Sequence, residues 1–77
     1  LWNAAVASGR SPADFAAPCE TVMVSFSKGL GAPVGAVLAG SEAALEDVWF
    51  VRKRIGGGMR QAGILAAAAL HALDHHY

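Results

Sequence analysis

Two uninterrupted apolar runs stand out from a chain whose remaining pattern is helical. Thr21-Val22-Met23-Val24 is apolar and β-branched, and Val34-Gly35-Ala36-Val37-Leu38-Ala39 repeats that character a little later. Runs of this length and composition predict buried core strands, here over about Thr21–Phe26 and Gly35–Ala39. Around them the pattern predicts helices. Leu1 to Ser8 is alanine-rich and ends at Gly9, a good helix stop. Ser11-Pro12-Ala13-Asp14 reads as a helix start, with serine as cap, proline in the first position and an acid three residues on; this helix finishes before Pro18. Ser41 caps a longer helix reaching about Ile55, on which Ala44, Val48, Val51 and Ile55 recur at helical spacing beside Leu45 and Trp49. Gly56-Gly57-Gly58 ends it. A last helix is expected from about Met59 to the end, its alanine run Ala66 to Ala69 permitting close packing. There is no internal repeat and no domain boundary, so residues 1–77 read as one partial domain of α/β class.

Length changes the picture. The chain has 77 residues, begins at leucine, and is 55% apolar with no net formal charge. A chain this short buries only about 60% of its unfolded surface and is marginal alone, so it reads as an internal fragment of a larger globular protein. Six basic and six acidic residues leave no global field for nucleic acid or an anionic membrane. Arg52-Lys53-Arg54 lacks the interleaved aromatics of a nucleic-acid reader. No stretch approaches the roughly 18 apolar residues of a membrane span. A single cysteine, Cys19, cannot form an internal disulfide, which is compatible with a reducing cytosol and sets cytoplasmic location as the expectation.

The candidate chemistry sits between the two strands. Ser25-Phe26-Ser27-Lys28-Gly29-Leu30-Gly31-Ala32-Pro33 places one lysine in a tight turn, flanked by glycines that let another molecule approach the backbone. The chain has two lysines; Lys53 lies in a charge cluster, whereas Lys28 has no acidic neighbour in sequence. An amine at the end of a buried strand is partly desolvated, which lowers its pKa and frees a lone pair for attack on a carbonyl. The plain alternative is a surface loop lysine. In Gly56-Gly57-Gly58-Met59-Arg60, the arginine is expected in the first turn of the last helix, where a cation opposes the helix dipole unless an anion is also present. Glycines, exposed N–H groups and an arginine fork suit a phosphate or carboxylate; a flexible loop with a solvent-facing arginine is the competing reading. The ordering of Glu42, Glu46 and Asp47 before Arg52, Lys53 and Arg54 complements the dipole of their helix, so this charge run also reads as a solvated face. Ser27 could bond a phosphate or the turn backbone.

Other motifs fail. Gly29-Leu30-Gly31 lacks the third glycine and following helix of a dinucleotide fingerprint, and no glycine loop ends in Gly-Lys-Ser or Gly-Lys-Thr. His71 and His75 share a helix face, but Ala72 follows His71 where a zinc protease needs glutamate, and histidines near a helix C-terminus are favourable without a metal. No metal site is expected.

Ser27-Lys28-Gly29-Leu30-Gly31-Ala32-Pro33-Val34-Gly35, followed by Gly56-Gly57-Gly58-Met59-Arg60-Gln61 and preceded by Leu1-Trp2-Asn3-Ala4, resembles the low-specificity L-threonine aldolases, fold-type I pyridoxal-phosphate enzymes. The likeness runs over nearly the whole chain. It implies a piece of the large cofactor-binding domain, in which Lys28 carries pyridoxal 5'-phosphate as an internal aldimine and Arg60 and Ser27 contact the cofactor. It sets Lys53 near the substrate end. The implied activity is cleavage of a β-hydroxy-α-amino acid, L-threonine or allo-threonine, to glycine and acetaldehyde, in a homo-oligomer that is a tetramer by resemblance. Members carry an Asp-Gly-Ala-Arg motif just before the segment resembling Leu1-Trp2-Asn3, whose aspartate pairs with the cofactor ring and whose arginine holds the substrate carboxylate. They also carry an earlier phosphate loop and a ring-stacking histidine. These 77 residues hold none of them, and no base for the β-hydroxyl is evident, so the fragment alone is expected neither to retain cofactor well nor to catalyse. A phenylserine aldolase, a β-eliminating lyase, a non-catalytic anion-binding module and a purely interfacial fragment are the alternative readings.

Overall fold

The computed structural model describes all 77 residues. The chain runs α1 (Trp2–Ser8), α2 (Pro12–Ala16), β1 (Thr21–Ser25), β2 (Ala36–Gly40), α3 (Glu42–Leu45), α4 (Val48–Arg54) and α5 (Gly63–His75). Local chemistry sets the ends of the first two helices. Gly9 stops α1 in the left-handed region at φ 67°, a conformation that glycine adopts without a Cβ penalty. Ser11 and Asp14 form a reciprocal capping box on α2: the Asp14 N–H donates to Ser11 Oγ at 3.2 Å and the Ser11 N–H to the Asp14 carboxylate at 2.9 Å. Two orphan donors are satisfied at once.

The strands pair antiparallel, with Thr21 opposite Gly40 and Ser25 opposite Ala36. Their connection, residues 26–35, is a folded loop. The Gly31 N–H donates to the Lys28 carbonyl, and the Ala32 N–H to that of Phe26, each at 2.9 Å. The Phe26 N–H closes the loop base on the Gly35 carbonyl at 2.9 Å. The small core forms on this loop. Leu30 and Ala32 are buried against Ala69 and Ala72 of α5, with Trp2, Phe26 and Leu73 packed around them. Ala69 and Ala72 bring the α5 backbone close to the loop; of the expected packing run Ala66 to Ala69, Ala66 and Ala67 are exposed.

Burial departs from the expectation of two core strands. Only Val24 of β1 is buried and β2 is exposed throughout. A two-stranded ribbon has two faces to cover and needs other layers to do it, and the molecule measures 38 × 30 × 16 Å. Its radius of gyration is 13.7 Å, against about 11.5 Å for a compact chain of this length. Six of 77 residues are buried, so the chain is a thin slab without a deep interior.

The helix expected over Ser41 to Ile55 divides in two. Ser41 caps α3, its Oγ accepting from the Ala44 N–H at 3.2 Å, but the helix breaks at Glu46-Asp47 and α4 restarts with Asp47 as its N-cap. Asp47 makes no side-chain cap bond at this boundary; its backbone, at φ −89° and ψ −10°, departs from ideal helical values there. The apolar positions Trp49, Val51 and Ile55 do recur on α4, yet all three are exposed, Ile55 at 78%. No element of this chain covers them. The last helix begins at Gly63, after Gln61 turns the backbone at φ 51°, later than the expected Met59. No helix is long and apolar enough to cross a membrane.

Candidate functional site

The Lys28 turn lies against the first residues of the chain. The Trp2 indole Nε1–H donates to the Ser25 carbonyl at 3.1 Å, pinning α1 to the end of β1. Asn3 lies so close to Gly29 that a Cβ there would collide with its side-chain oxygen. A glycine here lets the Asn3 side chain lie directly against the turn backbone. An open cleft of about 340 Å³ results, lined by residues that include Trp2, Asn3, Met23, Ser25, Lys28 and Gly29. That volume is at the lower end of small-molecule sites. Lys28 is the one cationic side chain on its wall.

The candidate residues from the sequence separate in space. Lys28 lines the cleft but is exposed, because the strand before it is not buried; the desolvation expected of its amine is not provided by these residues. Ser27 is exposed, its Oγ 3.4 Å from that of Ser25, within the turn and off the cleft wall. Lys53 and Arg60 do not line the cleft. Lys53 Nζ stands 5.1 Å from the Trp49 ring centroid and Arg52 Cζ 5.2 Å, so the basic cluster packs its cations over an exposed indole.

Arg60 stands in a turn ahead of α5, three positions before Gly63. The dipole argument for an anion beside it therefore loses its premise, and its exposure leaves the fork free to reach outward. The glycines before it do structural work. The Gly57 N–H donates to the Arg52 carbonyl at 2.7 Å and the Gly56 N–H to that of Lys53 at 3.1 Å, with Gly56 at φ 82°. This pair of bonds is a Schellman stop for α4, which explains the helix end and commits those N–H groups to protein carbonyls.

Sequence reasoning missed Trp2 and Asn3 as wall residues. The only hint was the demand of Gly29 for close approach, which does not say by what. It also missed the chain's last residues. His76 Nδ1 lies 3.3 Å from the Leu30 carbonyl, and the Tyr77 ring meets Trp2 edge-on at 5.1 Å. The His71 and His75 rings meet tilted by 46°, 4.3 Å between centroids. No group of three histidine, cysteine or carboxylate side chains is placed to hold a metal ion.

A family model described as Beta-eliminating lyase matches residues 1–77. The chain belongs to the beta-eliminating lyase family. Within and around that family, it is 51% identical over 74 residues to the aldolase vrtJ of Penicillium aethiopicum, covering 96% of this chain and 19% of that protein. It is 45% identical to a low-specificity L-threonine aldolase of Candida albicans, covering 99% of this chain and 20% of that one. Against a low-specificity L-threonine aldolase of Escherichia coli it is 42% identical, over 99% of the chain and 23% of the relative. The chain thus spans about a fifth of the length of the curated relatives it matches. The helices and two-stranded sheet agree with an α/β class for this piece of the beta-eliminating lyase family.

Proposed function

We propose that these residues are the lysine-bearing part of the large domain of a fold-type I, pyridoxal 5'-phosphate-dependent lyase, acting on a β-hydroxy-α-amino acid. The reaction is cleavage of L-threonine or allo-threonine to glycine and acetaldehyde. The observation that carries this reading is the placement of Lys28, the single basic side chain on the wall of a cleft whose other side chains are apolar, small or uncharged. Names of relatives matched over almost the full chain support the reaction class.

The residues fit the aldehyde end of that cofactor. A primary amine on a glycine-flanked turn is the donor such a carbonyl requires, and Lys28 is exposed on the cleft wall where a carbonyl can reach it. They do not by themselves fit the phosphate end, since Lys28 is the sole cationic side chain on the cleft and the N–H groups of Gly56 and Gly57 are already paired. When bound, pyridoxal phosphate supplies an electron sink for breaking a bond next to the amino-acid nitrogen. The chain's own part is to hold it. Lys28 is its attachment point, Trp2 and Asn3 bound one side of the cleft, and Ser27, exposed within the turn, is assigned a cofactor contact. Arg60, exposed and without a role in the fold, is assigned the phosphate, and Lys53 the substrate end. Both of these lie off the cleft wall, which suits an assembly in which several copies meet.

Treatment of the full-length protein with pyridoxal phosphate, borohydride reduction and peptide mapping tests the reading. A phosphopyridoxyl label on Lys28 is the expected result; a label on Lys53 alone, or none in folded protein, refutes it. The family description favours one second reading, β-elimination of the substrate side chain. Parallel turnover of threonine, phenylserine and tyrosine separates the two.

A further inference from the structure

The turn that carries Lys28 is gripped from both ends of the chain. On its upstream side the Trp2 indole donates to the Ser25 carbonyl at 3.1 Å. Downstream, His76 reaches back 46 positions to the Leu30 carbonyl at 3.3 Å. A carbonyl only accepts, so His76 Nδ1 carries the proton of this bond, in the neutral ring or in the imidazolium. Tyr77 then closes the ring of contacts edge-on against Trp2, at 5.1 Å between centroids. Between the two anchored carbonyls stand Phe26, Ser27, Lys28 and Gly29, of which only Phe26 is even partly buried. Leu30 is 2% exposed, so its carbonyl marks the point where the turn enters the core.

We infer that His76 and Trp2 are positioning residues for Lys28: their hydrogen bonds to the Leu30 and Ser25 carbonyls hold the two shoulders of the turn, so that the amine is presented to the cleft. This rests on the reading of Lys28 as the cofactor's attachment point. The exposed tip of the turn, Ser27-Lys28-Gly29, has no side chain in the core, and such a segment opens at little free-energy cost. Two long-range bonds at its shoulders raise that cost, and a held amine needs less ordering when it takes its partner. The facing groups on α5 are His71, whose ring lies 5.7 Å from that of His76, and His75, whose ring lies tilted against that of His71.

The test uses the full-length protein and two readouts. The first is hydrogen exchange at the Gly31 and Ala32 amides, which bond to Lys28 and Phe26. The second is the phosphopyridoxyl label on Lys28 at limiting pyridoxal phosphate, relative to Lys53 in the same sample. His76→Ala is expected to speed exchange of both amides about five- to tenfold, the effect of one lost hydrogen bond, and to lower Lys28 labelling by a similar factor without changing Lys53. His76→Asn is expected to restore both, because its amide nitrogen can stand where Nδ1 stands and donate to the same carbonyl. Trp2→Phe keeps a ring against Tyr77 but removes the donor, and is expected to act like His76→Ala.

Unchanged exchange and labelling in folded His76→Ala would overturn the inference. So would failure of His76→Asn to restore them. If His76→Ala does not fold, His76→Asn and Trp2→Phe decide on the same readouts. Absence of any Lys28 label in the unmodified protein would instead refute the attachment reading, and the exchange data would still judge the grip.

Discussion

Three consecutive glycines after α4 make different demands, and substituting each by alanine separates them. A Cβ on Gly57 would stand 2.6 Å from both the carbonyl oxygen and Cγ of Arg52. The oxygen belongs to backbone that also accepts the Gly57 N–H at 2.7 Å, so relieving the clash breaks the Schellman bond. Loss of that bond costs about 1 kcal/mol and the residual backbone strain about 1–3 kcal/mol, which sets Gly57→Ala at about 2–4 kcal/mol. Gly56 has nothing within 4 Å of its Cβ position; its demand is φ 82° alone, and Gly56→Ala is expected to cost about 1–2 kcal/mol. At Gly58 the nearest atom is Lys53 Nζ at 3.2 Å, the tip of a flexible side chain that moves aside. Gly58→Ala is therefore expected within about 0.5 kcal/mol of neutral. Urea unfolding of the full-length variants reads the order directly from midpoints at constant slope. A Gly58→Ala loss as large as that of Gly57→Ala, or a Gly57→Ala variant as stable as the parent, would refute the stop-motif account and the loop geometry that presents Arg60.

Other outcomes follow from single residues. Arg60→Ala is expected to weaken pyridoxal-phosphate binding about tenfold or more, the loss of a charge-assisted bond, while pyridoxal without phosphate binds unchanged; equal loss for both ligands would remove Arg60 from the phosphate. Lys28→Arg keeps the charge but cannot form a carbonyl adduct, so borohydride labelling at this position should vanish while Lys53 labelling persists. Leu30→Ala empties the centre of the small core and is expected to cost about 2–4 kcal/mol, read by the same urea series. Ser11→Ala breaks the capping box and should cost about 1 kcal/mol, with no effect on Lys28 labelling because α2 does not touch the cleft.

What could be read in the sequence was what is decided within a few residues. The stop at Gly9, the box of Ser11 and Asp14, the cap at Ser41 and the glycine stop after Arg54 are closed by bonds spanning three to five positions, and residue type alone announces them. The strands were legible because β-branched runs stiffen an extended backbone, and Lys28 was legible as the lone amine between them. Burial was not, because it belongs to pairs of elements. β2 and the apolar stripe of α4 have the composition of core and lie exposed, since no second layer of this chain covers them. The break at Glu46-Asp47 and the late start of α5 at Gly63 turn on one or two backbone angles that the apolar spacing does not record. Above all, nothing along the chain announces that Trp2 and His76 meet the two shoulders of one turn. Those bonds join residues 23 and 46 positions apart, and only the packing of α5 on Leu30 and Ala32 brings the chain's far ends to the lysine.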